Sequence, residues 1–250
     1  MIKNRASSPC PSARESIWGA CYLLFQMLAL PSFLYWANGQ ADISLSDTEL
    51  NFLFYIINFV AVLLIFHNFL ARSLSQLLHH PIDGLQAAIL GFVAYYVCFH
   101  AMEWIIGLLR PGYTNYNDDS IAALSRGNFF LMAIGTVVLV PITEECLYRG
   151  LIFRNLYRSS QVAAYLLSMA AFAALHVLGY IGTDSAMNIF LSFIQYFPVS
   201  FALIWAMEFG GSIWASIAES VDLPDAAIIR GDTAAKICWR LKTIFIKALL

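Results

Sequence analysis

The feature that most constrains this chain is a series of apolar segments, each long enough to cross a lipid bilayer. A transmembrane helix needs about 20 consecutive, mostly apolar residues. Segments of that kind are predicted at residues 17–37, 52–71, 85–109, from 127 onward, 162–178 and 188–207. Residues 210–221 are too short to cross and follow a Gly-Gly pair, which favours a re-entrant half-span. The sequence therefore predicts an all-α, polytopic transmembrane helical bundle of about six spans plus one half-span.

The composition excludes a water-soluble globule. Hydrophobic residues make up 60% of the chain and charged residues 12%, whereas soluble domains usually carry about 25% charged residues. The five cysteines are scattered and form no Cys-x-x-Cys pair, so neither a disulfide framework nor a thiolate zinc site is indicated. The partners expected are membrane lipids and a peptide or protein substrate, with no nucleic acid.

The distribution of lysine and arginine predicts the orientation in the membrane. The loop at residues 38–49 is acidic and carries neither Lys nor Arg, which places it outside by the positive-inside rule. Residues 1–15 are predicted to be a disordered cytoplasmic lead, residues 16–124 N-terminal transmembrane helices, and residues 125–225 a catalytic core. Residues 226–250 have the pattern of a basic amphipathic helix on an anionic cytoplasmic surface. Both termini are thus expected inside, in a multi-pass protein of a bacterial cytoplasmic membrane.

Two adjacent carboxylates, Glu144 and Glu145, follow directly on the apolar run that ends at Ile142. Ionisable groups at membrane depth are costly and usually functional. On a helix, Glu145 and Arg149 share a face, so this carboxylate can be neutralised by the guanidinium while Glu144 stays available as a general base. The alternative is a purely structural charge network, or two glutamates lying among the headgroups. Residue counting places Glu144 near the cytoplasmic side of its span.

Few other groups in the apolar half of the chain can perform chemistry. They include His176, near the end of the fifth span, and Glu219, in the predicted half-span. Imidazole and carboxylate are ordinary zinc ligands. Counting along the fifth span puts His176 far from Glu144, unless the fourth helix runs deeper than drawn or the fifth is tilted or broken. Cys146 is expected to be a small buried side chain, and His100 with Glu103 to form a hydrogen-bonded pair at the interface.

Three motifs in order resemble those of the CAAX-protease and bacteriocin-processing (CPBP, or Abi) intramembrane endopeptidases. The likeness covers about residues 125–225. It comprises Glu144-Glu145-x-x-x-Arg149-Gly150, Phe172-x-x-x-His176, and the lead-in Gly211-Ser212-Ile213-Trp214 to a third motif.

The resemblance implies roles for these residues. Glu144 would activate a water for peptide hydrolysis, with Glu145 and Arg149 holding it in place, and His176 would bind a metal or orient the water. The family usually has His followed by Asn in the third motif, whereas this chain has Glu219. That departure favours a divalent metal, zinc by preference, bound by His176 and Glu219, or a loss of activity.

The sequence thus predicts a membrane metalloendopeptidase that cleaves peptide bonds near the cytoplasmic face, with a substrate that is lipidated or otherwise membrane-anchored. One alternative is a catalytically inactive relative with a binding or immunity role. A second is a small proton-coupled transporter, although the chain lacks the two similar halves typical of transporters.

Overall fold

The computed structural model describes residues 8–42 and 44–220 and is helical throughout, with no β-strand among these residues. The predicted tail at 226–250 and residues 1–7 of the predicted lead lie outside the described residues. The helices are α1 (Ala13–Leu28), α2 (Leu30–Gln40), α3 (Asp47–His79), α4 (Pro81–Leu109), α5 (Tyr116–Gly127), α6 (Phe129–Tyr157), α7 (Gln161–Leu178), α8 (Ala186–Gly210) and α9 (Ile213–Ser220).

Five of these helices, α3, α4, α6, α7 and α8, are long and apolar enough to span a membrane. The bent pair α1 and α2 makes a sixth candidate, which confirms the predicted class of fold. Residues 17–37 do not form one straight helix, because the chain bends by 51° between α1 and α2. Pro31, at the start of α2, has no N–H with which to continue the hydrogen bonding of α1.

The polar segment at residues 110–126, which separates two of the predicted spans, contains most of α5. Asn115 caps this helix by accepting a hydrogen bond from the Asn117 N–H at 3.0 Å. Its two aspartates lie in the first turn and Arg126 in the last, which is the favourable arrangement for the helix dipole. Local capping therefore makes a helix from a sequence too polar to be a span.

Helices α6 and α8 form the centre of the bundle. Buried residues make up 56% and 50% of their apolar windows, against 11–28% for the other single-helix spans. Two stretches of α6, Gly135–Leu139 and Glu145–Phe153, are π-helical, with Pro141 between them. A buried ion pair joins the two central helices, since Arg154 Nη1 lies 2.6 Å from Glu208 Oε1. This ion pair links α6 to α8 through long side chains within the core.

The first helix is fastened to α3 by a buried carboxylate. Ser12 caps α1, and Glu15 in the first turn completes the capping box. Helix α3 is kinked at Phe66, where φ is −102° and ψ 15°. Just beyond the kink, the Phe69 N–H donates to Glu15 Oε1 at 2.7 Å, and Arg72 lies 3.3 Å from the same carboxylate. Glu15 therefore caps the second half of α3.

The half-span predicted at residues 210–221 corresponds to α9, whose eight residues are too few to cross a bilayer. Helix α8 ends at Gly211, which has a φ of +69°. Glycine adopts this left-handed conformation without the steric penalty of a side chain, so the chain reverses here. The reversal returns α9 to the core beside α4 and α6.

Candidate active site

The two adjacent carboxylates of α6 lie in different surroundings. Successive residues on a helix point in directions about 100° apart. The side chain of Glu144 is 23% exposed and lines a cavity of about 300 Å³, whereas that of Glu145 is fully buried. Glu144 is thus the carboxylate that a substrate or water can reach.

Glu145 forms the ion pair with Arg149 that the four-residue spacing predicted. Their Oε1 and Nη1 atoms lie 3.0 Å apart, and both side chains are fully buried. Arg149 also donates from Nη2 to Ser200 Oγ on α8 at 3.0 Å, and its guanidinium lies 4.5 Å from the centre of the Phe172 ring on α7. The Arg149 guanidinium therefore connects α6 to both α7 and α8.

His176 on α7 lies beside Glu144, with Nε2 and Oε1 3.7 Å apart. Its Nδ1 is 2.8 Å from the Phe172 carbonyl oxygen. A carbonyl only accepts hydrogen bonds, so Nδ1 carries the proton, and in the neutral ring Nε2 presents a lone pair toward Glu144. The separation exceeds that of a direct hydrogen bond, and a water beside the two atoms, off the line that joins them, can reach both at hydrogen-bond distance.

Counting along the sequence separated Glu144 from His176 unless the fourth helix ran deeper than drawn, and α6 does continue past Glu144. It ends at Tyr157, about 20 Å beyond the carboxylate at 1.5 Å per residue. Helix α7 returns from Gln161, and His176 lies about 22 Å along it. Because the helices are antiparallel neighbours, His176 near the end of α7 lies level with Glu144 near the middle of α6.

The predicted third site residue, Glu219, does not line this cavity. Its carboxylate packs against Gly91 on α4, beside Ala206 on α8, and the neighbouring residue Ser220 lines the cavity instead. Within residues 8–42 and 44–220, no group of three or more His, Cys, Asp or Glu side chains is placed to hold a metal ion. The site as described therefore brings Glu144 and His176 together and leaves Glu219 outside.

Several cavity residues were not identified from the sequence. Tyr196 on α8 stacks on the His176 ring with a centroid distance of 4.3 Å, and Asn117 on α5 also lines the cavity. The four-residue spacing of Ser216 and Ser220 could have indicated the face of α9 that meets α6. No sequence pattern singled out Tyr196, because one aromatic residue in an aromatic-rich span carries no periodic signal.

The predictions made for Cys146 and for the His100–Glu103 pair agree with the structure. The Cys146 side chain is fully buried among core residues. His100 Nδ1 and Glu103 Oε2 are 2.9 Å apart on the exposed surface of α4. The His100–Glu103 pair lies away from the cavity and provides a comparison for the buried site.

The fold and site together define a multi-pass helical membrane protein with a carboxylate and an imidazole facing each other in an internal cavity. Comparison with protein families matches the segment that carries the site. The sequence profile of the family described as "Type II CAAX prenyl endopeptidase Rce1-like" matches residues 126–219, and this segment is a domain of that family. The match confirms the resemblance seen in the motifs and implies an intramembrane protease acting on a peptide or protein substrate. Comparisons with curated proteins and with solved structures found no match.

Proposed function

We propose that this chain is an intramembrane endopeptidase that hydrolyses peptide bonds with a water activated by Glu144. The observation that carries the proposal is the approach of Glu144 Oε1 to His176 Nε2, at 3.7 Å, inside a cavity large enough to admit a peptide segment. Ionisable groups that meet in a cavity at membrane depth usually mark a functional site.

The geometry suits a water that donates a hydrogen bond to each of the two groups. The Glu144 carboxylate and the Nε2 lone pair are both acceptors, and a water between them can satisfy both. Glu144 takes one proton as the water oxygen attacks the carbonyl carbon of the substrate, which gives a tetrahedral intermediate. The intermediate collapses as the C–N bond breaks, and the proton held by Glu144 passes to the leaving amine. His176 holds the second hydrogen and orients the water throughout.

The ion pair behind Glu144 serves a different purpose. Glu145 and Arg149 are fully buried and are not among the residues that line the cavity. Arg149 reaches Ser200 and the Phe172 ring, and Phe172 also supplies the carbonyl that fixes His176. The pair therefore sets the position of α7 relative to α6, and with it the spacing of Glu144 and His176.

The substrate proposed is a membrane-anchored or lipidated peptide entering from the cytoplasmic side. A site near the middle of a span is accessible to a segment already held in the bilayer. Arg154 and Arg158 lie at the end of α6 and favour a cytoplasmic location for that end by the positive-inside rule. Both termini are proposed to lie on the same side, in a bacterial cytoplasmic membrane.

The metal-bound form of this mechanism fits the described residues poorly. Zinc in a catalytic site usually has three protein ligands and an open position. Only Glu144 and His176 are adjacent in the cavity, and the Glu219 carboxylate packs against Gly91. We derive no step through a metal.

We expect Glu219→Gln, which keeps the shape of the side chain, to leave both metal content and cleavage unchanged. Parallel loss of bound metal and activity in this variant would instead support a zinc site at Glu219.

The direct test is cleavage of a quenched fluorescent peptide library by the purified protein in lipid nanodiscs. We expect Glu144→Gln to lower kcat by at least about 100-fold, the usual contribution of a general base, with unchanged yield and thermal stability. Glu103→Gln is the matched control, since Glu103 also pairs with a histidine but lies on the exposed surface of α4. Cleavage by Glu144→Gln at the wild-type rate would exclude the mechanism. A wild-type protein that cleaves nothing would favour the inactive, binding relative instead.

A further inference from the structure

His176 contacts two aromatic rings, whose centres lie 6.1 Å from each other and therefore roughly at right angles around the imidazole. The Phe172 ring centre lies 4.4 Å from the imidazole centre, and the Tyr196 ring centre lies 4.3 Å from it with an interplanar angle of 34°. Phe172 is on the same helix as His176, one turn away, so it moves with the histidine. Tyr196 belongs to α8 and therefore provides an independent point of reference for the imidazole.

The hydroxyl of Tyr196 is fixed by two carboxamides from a different part of the chain. Asn115 Nδ2 donates to it at 3.3 Å and Asn117 Nδ2 at 3.2 Å. Asn115 is the N-cap of α5, and its Nδ2 also donates to Gln195 Oε1 at 3.1 Å. The tyrosine is thus held at its ring by the histidine and at its hydroxyl by the start of α5.

The segment that carries these asparagines is tied to α8 by further buried polar contacts. The Tyr113 hydroxyl donates to Gln195 Oε1 at 3.0 Å and lies 2.7 Å from Ser192 Oγ. Burial raises the pKa of Tyr113 to about 12, so the hydroxyl keeps the proton that this bond requires at neutral pH. On the other side, the Tyr180 hydroxyl donates to Asn117 Oδ1 at 3.3 Å. The amides near Tyr196 are therefore themselves held in place.

We propose that Tyr196 is a positioning residue for His176. The Tyr196 ring packs on the imidazole and keeps Nε2 directed at Glu144. Asn115 and Asn117 in turn hold the Tyr196 hydroxyl. The inference rests on the proposed peptidase function for its kinetic consequences. Rotation of the imidazole about χ2 would carry Nε2 away from Glu144. The hydrogen bond to the Phe172 carbonyl restrains this rotation at Nδ1, and the Tyr196 ring, 4.3 Å from the imidazole centre, obstructs it from α8.

The test compares four variants in the same peptide assay. Tyr196→Leu removes the ring, and we expect a kcat lowered roughly 10- to 100-fold, as for small misplacements of catalytic groups, with KM changed by less than about three-fold. Tyr196→Phe keeps the ring and should rescue most of that loss. Asn117→Ala should add little to Tyr196→Phe, because both remove the same hydrogen bond. Phe193→Leu is the matched control, an aromatic residue one turn away on α8 that packs on Phe197 rather than on the histidine.

A spectroscopic measurement separates this inference from the peptidase itself. In protein labelled with ¹³C-histidine, contact with the two rings should shift the His176 Hε1 resonance upfield, and His176→Gln identifies the signal among the five histidines. We expect Tyr196→Leu to move this resonance and Tyr196→Phe to preserve it. An inactive wild type would refute the proposed function yet leave the shift intact. Two results would overturn the positioning role. One is a Tyr196→Leu variant with the wild-type kcat. The other is a Tyr196→Leu variant whose kcat falls while the His176 resonance stays in place.

Discussion

Replacing Glu145 by glutamine should destabilise the protein far more than the same change at Glu144. Glu145→Gln keeps the shape of the side chain but leaves the fully buried Arg149 without its counter-charge at 3.0 Å. Breaking one partner of a buried ion pair costs about 3–5 kcal/mol. The guanidinium keeps its contacts with Ser200 and the Phe172 ring, so we expect a cost at the lower end of this range, about 3 kcal/mol. Glu144 is partly exposed to the cavity, so Glu144→Gln should cost less than about 1 kcal/mol.

Cys146 provides the assay, because its thiol is fully buried beside Glu145 and becomes reactive only when the core opens. Unfolding is followed on heating by a dye that fluoresces on reaction with thiols. The other cysteines are first replaced by serine: Cys10, Cys21, Cys98 and Cys238.

A loss of about 3 kcal/mol corresponds to a Tm lowered by roughly 6–12 °C for a chain of this size. The double variant Glu145→Gln, Arg149→Met removes both charges and should recover at least half of the loss, because replacing a whole buried pair is far less costly than breaking it. A Tm for Glu145→Gln within about 2 °C of wild type would refute the reasoning. It would mean that Arg149 is hydrated or otherwise compensated.

Two further predictions concern topology and packing. A cysteine replacing Leu45 should react with an impermeant maleimide added outside intact cells. Cysteines at positions 5 and 232 should react only after the membrane is opened. Labelling at 232 from outside would place the two termini on opposite sides of the membrane. Gly91→Ala should lower the free energy of unfolding by about 1–3 kcal/mol, because the added Cβ would overlap the Glu219 carboxylate. Gly107→Ala, on the same helix, is the control: its Cβ would have no atom within 4 Å, so the Tm should stay unchanged.

Local spacing was enough to predict the parts of the site that lie on one helix. Glu145 and Arg149 pair because residues four apart share a face, and His100 and Glu103 meet at a spacing of three. The span count followed equally directly, since long apolar runs in α3, α4, α6, α7 and α8 leave few alternatives to a membrane helix. These features depend on short-range geometry alone.

The contacts between helices were harder to predict, because they depend on where each helix ends. Glu144 was placed near the end of its span, whereas α6 continues to Tyr157 and brings the carboxylate level with His176. The π-helical turns of α6 also change which residues face α7 and α9, and no residue pattern announced them. On α9, a rotation of one residue is enough to direct Ser220 rather than Glu219 into the cavity.

The carboxylate that caps the kink in α3 has a consequence for how the protein is assembled during synthesis. Glu15 leaves the ribosome 54 residues before the Phe69 N–H to which it is bound in the finished structure. Before α3 is inserted, the carboxylate keeps only the Ser12 N–H of its capping box. A charge with so few partners is poorly tolerated in hydrocarbon, so α1 should wait at the headgroup surface until α3 has been inserted. Helix α1 would then be translated before α3 and yet reach its final position in the bilayer after it.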